Sequence, residues 1–135
     1  MIKIDKPWGY YTSLYEGKLS DRLLQIKTLV VNKGQRLSLQ SHQHRKEYWL
    51  VVDGNPTVEI DHSLRDYYIG DLIKINPGQQ HRLSNSFTTP VVIVEVQTGK
   101  YLGEDDIVRY EDDYNRDDAQ EMENIIQQMK DQLDG

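Results

Sequence analysis

The sequence predicts an all-β domain closed by one C-terminal α-helix, and three observations carry that prediction. Nine Tyr and two Trp accompany frequent Val and Ile, whereas Ala occurs once, a balance that suits pleated strands. Up to about Arg109, short apolar or alternating runs follow one another at brief intervals, divided by turn residues, as in a sandwich or barrel. From Asp117 onward the apolar period is that of a helix.

The elements follow in order. Residues 8–15 gather Trp, Tyr and Thr, and residues 23–31 read LLQIKTLVV. The turn Asn32-Lys33-Gly34 precedes residues 36–42, where Gln40 and His42 share one face of a strand. Residues 46–53 hold the very apolar run YWLVV, ended by Asp53-Gly54-Asn55-Pro56. Strands are expected over 57–61, 71–75, 81–85 and 91–98, with Asn76-Pro77-Gly78 as the turn before the third of these. The last segment, DDAQEMENIIQQMKDQLDG, places Met122, Ile125, Ile126, Met129 and Leu133 at helical spacing, with acids in the first turn where the helix dipole favours them. The chain thus divides into a β-domain over residues 1–116 and an amphipathic helix over 117–135, which is expected to pack on that domain or on a second subunit.

At 135 residues the chain has the length of one domain and can bury a core without staples. It has no Cys, which excludes a disulfide framework and a thiolate metal site. Nothing in it resembles a signal peptide or a membrane span, so a cytoplasmic protein with no membrane partner is expected. The formal net charge of −6 argues against a nucleic-acid partner, whose binding rests on basic patches. That charge is uneven: residues 104–123 hold ten acids and two arginines, while the other positions hold 14 basic and 12 acidic residues. The body of the domain is therefore open to a small anionic ligand.

The chemistry centres on LSLQSHQHRKEYW, residues 37–49. A tight reversal over 44–46 would return the chain as a hairpin and bring Glu47 beside Gln40 and His42, and His81 follows a Pro-Gly turn further on. Two imidazoles, one carboxylate and one amide oxygen form a mixed nitrogen and oxygen set suited to a divalent first-row metal. A histidine near a turn is more often a surface or core residue than a ligand, so each of the four carries little weight alone. Their joint spacing carries more.

Gly34, five residues, Gln40-Ser41-His42, four residues, Glu47, six residues and Gly54 resemble the first cupin motif, with Gln in place of its first His. Asn76-Pro77-Gly78-Gln79-Gln80-His81, three residues and Asn85 resemble the second, with Asn76 where Pro is usual. The blocks KPWGYY, LSLQSHQHRKEYWLVVDG, NPGQQHRLSN and EVQTGKYLGEDDIVRYEDDYNR run in order over residues 6–116. They resemble the cupin domain at the C-terminus of type II mannose-6-phosphate isomerases, the bifunctional partners of mannose-1-phosphate guanylyltransferases. The resemblance implies a double-stranded β-helix, a jelly-roll barrel, with one divalent metal in its mouth. Gln40, His42, Glu47 and His81 would be the ligands, with zinc the first choice of metal and manganese, cobalt, nickel or iron after it.

The activity implied is a metal-dependent aldose–ketose isomerisation, interconverting mannose 6-phosphate and fructose 6-phosphate through an enediol, with a small phosphosugar as substrate. A metal would polarise the C1 and C2 oxygens. Arg45, inside HRKEYW, is the first candidate for a catalytic contribution through its fixed charge, and His44 and Lys46 are candidate bases whose plain reading is solvated turn residues. Arg82 and Arg109 are candidates for the phosphate, ahead of Lys100, although Arg109 also reads as a partner for Asp105, Asp106 or Asp112. Tyr48 is a candidate to line the pocket, and Trp8 and Trp49 read as packing residues. Tyr48 stands where His is commoner and Asn115 where Gly is commoner; with no nucleotide-binding Gly-rich loop, a free-standing isomerase without guanylyl transfer is expected. The resemblance implies a homodimer too, since cupins of this kind commonly pair through sheet edges, which are a hazard if left bare. The competing class is a non-catalytic metal-bearing cupin that binds a sugar or sugar phosphate. Iron-dependent cupin dioxygenases fit less well, because Gln40 stands where they favour His.

Overall fold

Period-two alternation governs the chain, and in the computed structural model it resolves into eleven strands and one helix. The structure describes residues 1–134, and the side chains of all of these except Asp118 and Asp134. The strands are β1 (Ile2–Lys6), β2 (Gly9–Leu19), β3 (Arg22–Val31), β4 (Leu39–Ser41), β5 (Arg45–Asp53), β6 (Thr57–Ile60), β7 (Ser63–Asp66), β8 (Leu72–Ile75), β9 (His81–Ser84), β10 (Val91–Gly99) and β11 (Val108–Glu111). The helix α1 spans Asp118–Asp134. Antiparallel pairing gives a six-stranded sheet in the order β1-β2-β3-β10-β5-β8 and a five-stranded sheet in the order β11-β4-β9-β6-β7. These two sheets make the all-β jelly roll expected from the sequence, with its core of Trp8, Leu29, Trp49, Val51, Leu83, Ile93 and their neighbours between them.

Register explains why one end of this interior is polar. Val31 pairs with Val91, Leu29 with Ile93 and Ile93 with Val51, so the first inward rows are apolar. The next rows, Lys27 with Glu95 and Gln25 with Gln97, are charged or polar, and Gln97 pairs in turn with Glu47. β3 and β10 thus switch from apolar to polar at the Lys27–Glu95 row, and β5 one row later, since Trp49 pairs with Glu95; this closes the barrel at one end and leaves a polar mouth at the other.

Three strands lie outside the sequence expectation. β1 forms as the outer partner of β2, β7 is exposed throughout and lacks an apolar face, and β11 pairs with β4 from within the acidic segment. The β6–β7 hairpin turns on Asp61 and His62, both at positive φ (47° and 72°), the form that two-residue hairpins favour. The expected strand over 36–42 shrinks to β4, with Arg36 bridged singly to Ser84. The hairpin expected around residues 44–46 does not form: β4 and β5 belong to different sheets, so the chain crosses the barrel corner there. Gly54 is required where β5 ends, because its φ is +85° and a Cβ would lie 2.8 Å from Pro90 O.

Asp117 caps α1, its Oδ1 accepting from Ala119 N at 2.9 Å and Gln120 N at 3.2 Å. Ile125 of α1 is buried in the core cluster and Met122 packs against it. Gln128 and Gln132 meet the outer edge of β1, accepting from Asp5 N at 2.6 Å and Lys3 N at 2.8 Å and donating back to the Asp5 and Lys3 carbonyls. Gly135, included in the expected helix, lies outside the described residues. No helix among these residues is long and apolar enough to cross a membrane.

Candidate metal centre

The crossing from β4 to β5 builds the site. His42 leaves the small sheet just after β4, Glu47 points inward from β5 of the large sheet, and His81 opens β9 opposite Gln40. The three side chains are buried, and their ligand atoms lie within 4.8 Å of one another. Glu47 Oε2 is 3.2 Å from His42 Nε2 and 3.8 Å from His81 Nε2.

The far nitrogen of each ring is already committed. His42 Nδ1 donates to Asp106 O at 2.6 Å and His81 Nδ1 to Gln79 O at 2.9 Å, which leaves both Nε2 atoms as acceptors. Burial pushes the His42 imidazole down to about 4, so it is neutral at pH 7. Burial opposes ionisation of Glu47, yet the Arg45 guanidinium, with the two rings behind it, holds its carboxyl well below the usual range. Acceptor lone pairs facing one another across 3.2 Å need a cation between or beside them. Arg45 provides one from the side, its Nη2 donating to His42 Nε2 at 3.0 Å and its Nε to Glu47 Oε2 at 3.2 Å. The donor set, two imidazoles and one carboxylate, fits a divalent ion. Gln40 lines the same cavity; its Nε2 is tied back to Ser38 Oγ at 3.1 Å, so Oε1 is the atom that it could offer.

Of the remaining sequence candidates, the structure brings Arg45 and Arg109 to this cavity, which has a volume of about 70 Å³. Strand alternation sends Lys46 and Tyr48 to the other face of β5, where they line an open groove of about 450 Å³ with His44 and Lys100. His44 is exposed and its Nδ1 faces Asp106 Oδ1 at 3.2 Å. Arg82, next to the inward His81, points the opposite way and donates to Leu37 O at 3.0 Å and Glu111 O at 3.2 Å, stitching strand ends together. Asp105, Asp106 and Asp112 accept hydrogen bonds from Tyr101, His44 and Arg116 respectively. Trp8 and Trp49 are buried.

Sequence reasoning missed a second layer. Trp49 Nε1 donates to Glu47 Oε1 at 3.0 Å. Asp106 orients His42 through its carbonyl, and its carboxylate accepts from Gln43 N and His44 N, pinning the corner. Lys27, buried, donates to Glu104 at 2.8 Å and lies over the Tyr11 ring. Burial opposes its charge, but Glu104, Tyr11 and Glu95 push the ammonium up to about 12. Glu104 in turn is drawn down to about 2, against burial, by Lys27 and Arg45. Burial, then the neighbouring Glu47 carboxylate, pushes Glu95 up to about 8, so it bears a proton. The signal for Lys27 and Glu95 was present: each shares the inward face of its strand with apolar residues, Leu29 and Val31 after Lys27 and Val91 and Ile93 before Glu95.

Known proteins resemble this chain over most of its length. Residues 1–112 match the family described as mannose-6-phosphate isomerase C-terminal. The chain is 42% identical over 114 residues, 84% of its length, to the xanthan biosynthesis protein XanB of Xanthomonas campestris pv. campestris. It is 40% identical over 114 residues, again 84%, to the mannose-1-phosphate guanylyltransferase of Escherichia coli. These stretches cover 24% and 23% of those proteins, so the chain spans about a quarter of the curated relatives it matches. Among solved structures, the capsular polysaccharide assembling protein CapF of Staphylococcus aureus overlays with a TM-score of 0.65 at 19% identity, over 82% of this chain and 34% of that one. A Cupin 2 conserved barrel domain protein of Salinispora arenicola gives 0.59 at 20%, over 72% and 80%. At such identities these overlays establish the cupin fold alone.

Proposed function

The chain belongs to the mannose-6-phosphate isomerase C-terminal family, and from that premise we propose that it is a metal-dependent aldose–ketose isomerase acting on mannose 6-phosphate and fructose 6-phosphate. One observation carries the reading: His42 Nε2, Glu47 Oε2 and His81 Nε2 converge in a buried cavity with both Nδ1 atoms tied to backbone carbonyls. His42, Glu47 and His81, with Gln40 beside them, would hold the ion. A divalent ion bound there supplies Lewis acidity toward the C1 and C2 oxygens.

The chain's own residues do the rest. Arg45, fixed by Glu47, and Lys27, fixed by Glu104, set permanent positive charge around the oxygens that become negative in an enediolate. Glu95 lies outside the ligand set and lines the cavity one row from Glu47, where its ionised form, populated as pH approaches about 8, would carry a proton between adjacent carbons. Buried walls of Trp8, Leu29 and Leu83 keep bulk water from the reacting carbons.

A coupled assay from mannose 6-phosphate to fructose 6-phosphate, with and without added divalent metal, tests the proposal. Metal-stimulated turnover is expected, and its absence would sink the isomerase reading. His42→Ala and His81→Ala are each expected to lose bound metal in elemental analysis.

A further inference from the structure

The metal cavity adjoins a second cavity of about 210 Å³ against α1, and Lys6, Glu104, Ile107 and Arg109 line both. Small-molecule pockets run upward from roughly 300 Å³, so a bound phosphosugar would span the two. Where they meet lies a charge cluster that the metal centre does not use. Lys6 ends β1, Arg116 lies between β11 and α1, and Glu121 of α1 stands between them; their side chains are 9%, 9% and 11% exposed. Lys6 Nζ donates to Glu121 Oε1, and the same oxygen accepts from Arg116 Nη1 at 3.3 Å. Asp112 grips the other side of that guanidinium, accepting from Nε at 3.0 Å and Nη2 at 3.2 Å.

Two buried cations sharing one carboxylate oxygen form an anion site whose anion comes from the chain itself. Among the described residues Lys6 has no other carboxylate at ion-pair distance. Burial lowers the Lys6 ammonium and Glu121 counters that effect, so the pair of cations needs an anion there. Glu121, like Arg116, lies beyond residues 1–112, outside the stretch that matches the family.

We propose that Lys6 and Arg116 form an anion subsite that receives the substrate phosphate, and that Glu121 fills this subsite when no phosphate is bound. The proposal rests on the phosphosugar reading above. Three phosphate oxygens would satisfy Lys6 Nζ and Arg116 Nη1 separately, while Asp112 keeps the guanidinium in place. Ile125, Gln128 and Gln132 anchor α1 independently of Glu121, so the helix remains docked when the carboxylate is displaced.

Calorimetric titration of the full chain with inorganic phosphate tests the subsite. Glu121→Gln removes the competing charge and keeps the shape; it is expected to tighten phosphate roughly tenfold, in line with one charge-assisted hydrogen bond. Lys6→Met added to that variant is expected to abolish the gain. If the double variant does not unfold cooperatively on heating, Arg116→Lys replaces it, keeping the charge while losing the fork. Unchanged affinity in Glu121→Gln, or a gain that survives either cation variant, would overturn the subsite. Mannose 6-phosphate is expected to compete with inorganic phosphate and mannose is not; a phosphate site indifferent to mannose 6-phosphate would overturn its assignment to substrate. None of these titrations needs turnover. Phosphate binding in this pattern by an inactive protein keeps the subsite and removes the isomerase, and turnover without the pattern does the reverse.

Discussion

Glu47 is held at both oxygens, Oε1 by Trp49 Nε1 at 3.0 Å and Oε2 by Arg45 Nε at 3.2 Å, so its carboxylate is oriented before any metal arrives. Trp49 also sets its ring edge-on against His81, at 5.7 Å between centroids, and thereby touches two of the proposed ligands. Trp49→Phe removes the donor while filling much of the same space. Metal affinity is expected to fall about 10- to 100-fold, the usual cost of losing a group that orients a ligand, as read by competition with a chromophoric chelator. Stability is expected to drop by about 1–2 kcal/mol because the buried Oε1 loses the Trp49 donor. An affinity equal to that of the unaltered protein would show that Trp49 only packs. The convergence of His42, Glu47 and His81 was legible in the sequence through its resemblance to the two cupin motifs, not through the hairpin expected around residues 44–46. Trp49 and Asp106 were not legible as supports, because each acts through a contact that only the folded register creates. The inward placement of Arg45 was a matter of phase: counting in twos from Trp49 and Glu47 puts Arg45 inside and Lys46 and Tyr48 outside.

At the scale of elements, α1 and β1 solve an edge problem together. An outer strand presents unpaired N–H and C=O groups that invite pairing with another chain. Here two glutamines one helical turn apart meet alternate residues of the strand, Gln128 at Asp5 and Gln132 at Lys3, each amide accepting from a backbone N–H and donating to the C=O of the same residue. The match is metric, since four helical residues rise about 6 Å and two strand residues about 6.6 Å. The double variant Gln128→Ala, Gln132→Ala is expected to speed amide hydrogen exchange at Lys3 and Asp5 while leaving Ile4, which faces the interior, little changed. Equal acceleration at all three amides would mean that the whole strand had come loose. The helix itself was legible from its apolar spacing and acidic first turn, whereas this use of its glutamines was not, because polar side chains on a helix read as a solvated face. Strand β11 was hidden for a related reason. Its VRYE sits among acids, and it becomes a strand by finding β4, which no local pattern announces.

For the whole molecule, the two successive rows in which β3 and β10, and then β5, turn from apolar to polar divide a closed core from a charged mouth, and Lys27 with Glu104 ties the two regions together. Burial disfavours both charges, so each persists because of the other: Glu104 lies at about 2 against an ordinary 4.5, and Lys27 at about 12 against 10.5. A carboxylate whose folded value is depressed contributes stability that is complete above its unfolded value and disappears as pH falls toward the folded one. Glu104 therefore stabilises the fold fully above about 4.5 and loses that contribution between about 4.5 and about 2. Lys27, raised in the fold, contributes fully below about 10.5 and loses its share as pH rises through about 12. Between those limits the pair is intact. Glu104→Gln is expected to lower stability at pH 7 by on the order of 2 kcal/mol, allowing for solvent screening of a carboxylate that is 30% exposed. The gap should close as both proteins are titrated from pH 5 to pH 2, since the unaltered protein loses in acid what the variant never had. Urea unfolding at a series of pH values measures it. Parallel curves, with a gap constant in pH, would mean that Glu104 acts by packing alone and that the charged mouth is not what makes this barrel sensitive to acid.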